Sequence, residues 1–272
     1  MTGSSADLHI HTSYSDGLYP PAETVRMAKD VNLKAMAITD HDTVAGLKEG
    51  KLAGRKLGIE VISGVELSCE LDGNEIHMLG YFAPGNETEL EERLEWYQAK
   101  REERVFEIID RLNQAGIILN IAEVRRFSTG KSIGRLHVAK ALMAQGTARS
   151  VHEVFSRFLG PDGVAYVPKA KLSIQEAVEF IHEHQGVGVL AHPGMYRIKN
   201  AAERTLEYLD GIEVWYPEHS PSFEDHLYAL ALKNRLMPTG GSDYHGVGRN
   251  EIGCVRIPYS IVTRLLEVAV GV

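Results

Sequence analysis

The chain has 272 residues, an apolar share of 44% and a formal net charge of −8. That length suits one large α/β barrel, or a barrel carrying a modest insertion, and that apolar share builds a core without disulfides. The acidic balance argues against an extended nucleic-acid surface, though not against a nucleotide or an RNA end held at a local cationic site. Two cysteines, Cys69 and Cys254, make no disulfide framework, so a reducing, cytoplasmic setting is expected. No signal peptide is expected, and no membrane contact, since no apolar run approaches the roughly 20 residues a membrane span needs.

Ala6 to His11 reads as a strand. Pro20-Pro21 opens a helix to about Val31, because proline is tolerated in the first helical turn. Ala35 to Thr39 is the next strand, followed by a helix to Leu57 that Gly58 ends. Ile59 to Val65 and Ile76 to Phe82 are further strands, and their alternation with helices predicts a parallel sheet with crossovers. After Pro84-Gly85 the pattern turns charged and helical. Leu90, Leu94, Tyr97, Val105, Ile108 and Leu112 share one helix face between Thr88 and Ala115, and Gly116 terminates the helix. A second helix is expected after Ser132. A third runs from the capping box Ser150-x-x-Glu153 to about Gly160-Pro161. Strands resume at Val164 to Val167, Val187 to Ala191, Ile212 to Tyr216, Met237 to Gly240 and Ile252 to Ile257. A helix capped by Ser173-x-x-Glu176 and closed by Gly186 lies between the first two. The expected organisation is a barrel formed by 1–83 and 165–272, interrupted by a helical insertion at 84–164.

Chemistry-bearing residues gather at the predicted strand ends. His9 and His11 close the first strand, and alternate strand residues share a face, so both imidazoles can point at one metal. Asp16 follows in the next loop. Asp40, His41 and Asp42 follow the second strand, Glu66 the third, His192 the strand from Val187, and Asp243 and His245 the strand ending at Gly240. Catalytic groups of parallel barrels collect at this face because the strand-to-helix loops converge there. Each pattern has an ordinary explanation by itself: an incidental pair, a helix cap, a turn. Their recurrence at successive strand ends is what points to metal chemistry. Imidazole and carboxylate together suit zinc, iron or manganese, and a bridging carboxylate can hold two cations close together. His152, His182, His184 and His226 fall on predicted helices and read as surface or packing residues. No phosphate loop, dinucleotide fingerprint or nucleophile elbow is present.

Asp7-Leu8-His9-Ile10-His11-Thr12 with Asp16-Gly17, Ile38-Thr39-Asp40-His41-Asp42, Gly64-Val65-Glu66, Ala191-His192-Pro193-Gly194 and Gly241-Ser242-Asp243-Tyr244-His245-Gly246 together resemble the polymerase and histidinol phosphatase (PHP) family. They run in the family's order along nearly the whole chain. The likeness is greatest to its stand-alone bacterial branch, which contains nucleoside 3′,5′-bisphosphate phosphatases and 5′-to-3′ exoribonucleases acting on short RNA. The resemblance implies a distorted (β/α)7 barrel with a helical insertion and two or three divalent cations. His9, His11, Glu66 and Asp243 would hold the first metal, Glu66, His77 and His192 the second, and Asp16, His41 and His245 the third. Asp16 stands where some members have histidine, which favours manganese there over zinc or iron(II). His77 lies inside a predicted strand and comes from the resemblance alone.

The implied activity is hydrolysis of a phosphate ester, by a metal-bridging hydroxide that attacks phosphorus in line. The expected substrates are a nucleotide, such as a 3′,5′-bisphosphate, or the 5′ end of a short RNA. A small-molecule phosphatase of the histidinol phosphate kind is the first alternative. An amidohydrolase is another, since those barrels also begin with His-x-His. A non-catalytic accessory to a polymerase is the third, and the complete ligand set argues against it. In the insertion, Gly134-Arg135-Leu136-His137 also resembles the branch. Arg135 is the expected phosphate contact, with Lys131 nearby and His137 weaker, because positions two apart on a helix face apart. His219, after Trp215-Tyr216-Pro217, is expected to steady phosphate or protonate the leaving oxygen.

Overall fold

The computed structural model describes residues 5–85, 87–128, 133–168, 172–246 and 250–271; Lys131, Ser132 and the side chain of Tyr97 lie outside what is described. The sheet curls into a nearly closed barrel. Strand β1 (Ser5–Asp7) is followed by α1 (Pro21–Asp30), β2 (Ala35–Ile38), α2 (Leu47–Leu57), β3 (Glu60–Leu71) and β4 (Asn74–Phe82). A helical stretch comes next: α3 (Glu87–Gln114), α4 (Ile121–Arg125), α5 (Arg135–Ala144) and α6 (Val151–Val154), which runs into a π-helical turn at Phe155–Leu159. The barrel resumes with β5 (Leu172–Ser173), α7 (Ile174–Glu183), β6 (Gly186–Leu190), α8 (Ala201–Thr205), β7 (Gly211–Trp215), α9 (Pro221–Asn234), β8 (Met237–Gly240), β9 (Ile257–Pro258) and α10 (Tyr259–Ala269).

The strand order is β8-β7-β6-β4-β3-β2-β1-β9, with β5 paired to β3. The two ends meet: the Leu8 amide donates to the Gly240 carbonyl at 3.2 Å, and the His11 amide to the Tyr244 carbonyl at 2.9 Å. Ala6, Leu8, Ala37, Leu79, Tyr81 and Val189 fill the barrel interior, and Val262 and Leu265 of α10 pack with them. A second cluster joins Val25, Leu47, Ile181 and Leu227 of the surrounding helices to the outward strand faces. The helices from α3 to the π-helical turn carry a core of their own, built on Val105, Ile108, Leu112, Val138, Leu142 and Phe158.

The barrel departs from the parallel alternation read from the sequence. Strands β3 and β4 form an antiparallel hairpin, and β4 is antiparallel to β6 as well. The turn between them is Asp72-Gly73, with φ of 49° and 75°. Asp-Gly with both residues at positive φ is the hairpin turn whose twist matches that of the strands. The expected strand at Val164 to Val167 does not form; the return to the sheet is the short β5. Of Ile252 to Ile257 only the end becomes strand, as β9, antiparallel to β1. Helix α4 is not visible in the apolar pattern, yet Asn120 and Glu123 make a full capping box for it. At Ser150 only half of the expected box forms: Ser150 caps the Glu153 amide, while the Glu153 carboxylate takes the Arg149 amide instead.

Candidate metal centre

Five imidazoles converge on one carboxylate. Glu66 is buried inside β3, and its Oε2 lies 3.3 Å from His9 Nε2, 3.0 Å from His11 Nε2 and 3.3 Å from His41 Nδ1. Its Oε1 lies 2.8 Å from His77 Nδ1 and 3.0 Å from His192 Nε2. Asp243 Oδ1 stands 3.4 Å from His9 Nε2 and 3.2 Å from His11 Nε2, and His245 Nε2 stands 3.2 Å from Asp16 Oδ1. Ligand atoms within 4.8 Å of one another group as His9, His11, Glu66 and Asp243; as His41, Glu66 and His77; and as His11, Asp16, His41 and His245.

The first group is the first expected set unchanged. The third contains the expected Asp16, His41 and His245 with His11 added. In the second group His41 takes the place expected for His192, although His192 Nε2 still reaches the same Glu66 oxygen. Asp40 and Asp42 belong to none of these groups. Asp40 accepts hydrogen bonds from the Thr12 amide and hydroxyl and from the Ser15 hydroxyl, and Asp42 accepts from the Ser68 amide and hydroxyl.

Local backbone aims these groups. Leu8 packs in the barrel interior and Ile10 in the outer cluster, so the alternation breaks between them where His9 and His11 turn onto the rim. His77 reaches the rim because β4 is antiparallel: it pairs with Ser68, one diagonal step from Glu66. Asp42, His192 and Asp243 all hold positive φ, of 53°, 25° and 51°. Such strained non-glycine residues concentrate at functional sites. A β-carbon on Gly241 would collide with the His9 backbone, so only glycine lets the end of β8 pass this close.

His9 Nε2, His11 Nε2, Glu66 Oε2, His77 Nδ1 and His192 Nδ1 are buried and make no hydrogen bond. Buried polar atoms without partners are rare and call for an explanation, and the His9, His11 and His77 nitrogens stand with Glu66 in groups whose donors divalent cations satisfy. The electrostatics agree. Burial opposes charge on Glu66, yet His41, His77 and His9 hold its carboxyl well below the usual range. Asp16 and Asp243 are held down in the same way by neighbouring histidines. Burial also works against protonation of His11 and His77, but the carboxylates overcome it and raise them to about 10 and about 9. Burial dominates at His41, lowering it to about 3.

The sequence profile of the PHP domain matches residues 7–236. The chain belongs to the PHP domain family. The matched span ends short of Asp243 and His245, which the fold nevertheless brings onto the other ligands. The chain is similar to the 5′-3′ exoribonuclease Rnm of Escherichia coli, at 32% identity over 247 residues, 88% of this chain and 84% of the relative. It is equally similar to a 3′,5′-nucleoside bisphosphate phosphatase of Chromobacterium violaceum, at 32% identity over 259 residues, 91% of this chain and 90% of the relative. A crystal structure described as a metal-dependent phosphoesterase, from Bifidobacterium adolescentis, superposes with a TM-score of 0.85 at 29% identity, over 97% of this chain and 96% of that one. With its ligand cluster, this PHP chain is a metal-dependent phosphoesterase.

Beside the cluster the PHP chain has a cavity of about 150 Å³, walled on one side by Asp16, His41 and His77 and on the other by Arg104, Arg135, His137 and Phe155. Arg135 and His137 both line it, against the expectation that they face apart. The cavity lies over the first turn of α5, where both positions reach it, and His137 Nδ1 accepts the Gly134 amide at 3.1 Å. The Arg135 guanidinium stands 3.8 Å from Glu75. Arg104, on α3, carried no sequence signal beyond being a charge on a helix. His219 does not line this cavity. Its Nδ1 donates to the Val214 carbonyl at 2.9 Å, its Nε2 accepts the Gly194 amide at 3.1 Å, and burial lowers its pKa. Among the described residues no helix is long and apolar enough to cross a membrane.

Proposed function

We propose that this phosphoesterase hydrolyses phosphate esters of nucleotides that carry a second phosphate, a nucleoside 3′,5′-bisphosphate or the 5′ end of a short RNA. The observation that carries this reading is the two-sided cavity. One wall is metal ligand, Asp16, His41 and His77, and the other carries Arg104 and Arg135, the latter beside Glu75. One phosphate would meet the metals while a second met guanidinium, which pairs bidentately with phosphate oxygens. Residues 84–164 would then act as a cap that supplies the cationic wall. The names of the two relatives support the same substrate classes.

The donor set fits two or three divalent cations, with manganese favoured where Asp16 contributes. His9, His11, Glu66 and Asp243 would hold one, Glu66, His77 and His192 with His41 a second, and Asp16, His41 and His245 a third. Bound there, such cations supply Lewis acidity and an activated water for in-line displacement at phosphorus. The chain's own groups orient the ester: Arg135 anchors the distal phosphate, and His219 holds the Gly194 loop behind His192. Phosphate release from a nucleoside 3′,5′-bisphosphate, histidinol phosphate and p-nitrophenyl phosphate, nucleotide release from a 5′-phosphorylated short RNA, and ring opening of a dihydropyrimidine, measured in parallel with manganese, test the reading. Preference for the bisphosphate and the RNA is expected. Equal rates on all phosphate esters would return the chain to a general phosphatase, and turnover of the dihydropyrimidine alone would make it an amidohydrolase.

A further inference from the structure

Strand β7 gives the cluster no ligand, yet it sends a fully buried carboxylate beneath it. Glu213 is 0% exposed. Its Oε1 lies 2.9 Å from His9 Nδ1, and its Oε2 accepts the backbone amide of His192 at 2.7 Å. His9 belongs to the first ligand group, and His192 reaches the Glu66 oxygen that faces His77. One side chain therefore serves two parts of the centre, each through a different oxygen. The strand is irregular at this point: the register with β8 shifts between Glu213 and Trp215. A bulge of this kind re-aims side chains, and past it the Tyr216 hydroxyl donates to Asp243 Oδ2 at 3.0 Å.

Each contact has a definite consequence. A carboxylate on Nδ1 keeps the proton there and leaves the Nε2 lone pair facing Glu66 and Asp243, which is the tautomer a metal needs. The contact to His192 is to backbone, at a residue whose φ of 25° an L-residue rarely adopts. His219 secures the same loop two residues on, at Gly194, where a β-carbon would lie 2.7 Å from the imidazole.

We propose that Glu213 is a positioning residue that couples two metal positions, fixing the His9 tautomer with one oxygen and the His192 backbone with the other. The inference rests on the reading of the cluster as a metal centre. The test is Glu213→Gln. Glutamine fills the same space but offers one acceptor and one N–H donor, so one of the two N–H groups now faces another donor. Manganese affinity of the metal-free protein, measured by calorimetry well below the melting temperature of the variant, is expected to fall roughly 10–100-fold. More than one binding step should weaken. A purely structural role would lower the melting temperature and leave affinity in the folded state unchanged, and that result overturns the proposal. So does a loss confined to a single binding step. If the variant does not fold, hydrogen exchange in the metal-free wild-type chain decides: the His192 amide should be among the slow ones, and rapid exchange removes the basis of the coupling. A wild-type chain that binds no manganese defeats the metal-centre reading itself, a result distinct from unchanged affinity in the variant.

Discussion

Replacing Glu66 by glutamine should do more damage than any other isosteric change in this protein. Glu66 is 1% exposed, and its two oxygens lie within 3.3 Å of nitrogens from five histidines. Glu66→Gln keeps the volume, so the barrel core is undisturbed. It removes one negative charge and turns one ligand oxygen into an amide nitrogen that cannot ligate. Either the His9, His11 and His41 side or the His77 and His192 side then loses its oxygen, and the other side keeps only a neutral one. Taking about 1.5–3 kcal/mol for a charged contact on each side gives about 3–6 kcal/mol. At about 1.4 kcal/mol per decade that is a loss of roughly a hundredfold to ten-thousandfold. The assay is phosphate release at saturating manganese, with metal content by elemental analysis of the same samples. Turnover within a few-fold of wild type at full metal loading would show that Glu66 bridges nothing.

Arg135→Ala should cost about 1.5–3 kcal/mol in kcat/KM on a nucleoside 3′,5′-bisphosphate and much less on an aryl phosphate; equal losses on both would move Arg135 to the common reaction centre or to the fold. Purified protein loaded with manganese should carry at least two cations per chain, and excess metal near a hundred times Kd should stabilise the fold by about 2.7 kcal/mol. A melting temperature indifferent to manganese and to chelator would contradict that. Glu87, at the start of α3, accepts from Lys51 and from the Ser63 hydroxyl, and those bonds lower its pKa from 4.5 to about 2 against the opposing effect of its partial burial. A depressed folded-state pKa gives stability that is present above the unfolded value and lost as pH falls. Glu87→Gln should therefore cost about 1 kcal/mol at neutral pH, solvent screening discounted. The difference from wild type should shrink below pH 4.5 and vanish near pH 2; melting curves with a constant gap across that range would exclude the ion pair as its cause.

The chain by itself determined the elements that depend on local pattern. The helices α1, α2, α3 and α7 carry their stop glycines, caps and apolar faces in the sequence, and they form close to where these signals stand. The His-x-His pair, Asp16, His41, Glu66, His192, Asp243 and His245 could be read as one site because each follows an apolar run, and strand ends of a barrel converge. Tertiary structure decided the rest. His77 joins the site because the Asp72-Gly73 turn reverses β4 and lays it against Ser68; the turn signal was in the sequence, but not the register that makes it matter. Glu213 resembled any acidic residue in an apolar run, and only its burial between His9 and His192 gives it a role. Arg104 and Arg135 stand 31 positions apart on separate helices and face one cavity because the core of Val105, Ile108 and Val138 packs those helices together. Ligand identity follows from residue type at a strand end, which is local. Which ligand shares which metal, and which charge faces the substrate, depends on contacts between segments that the chain's own periodicity does not encode.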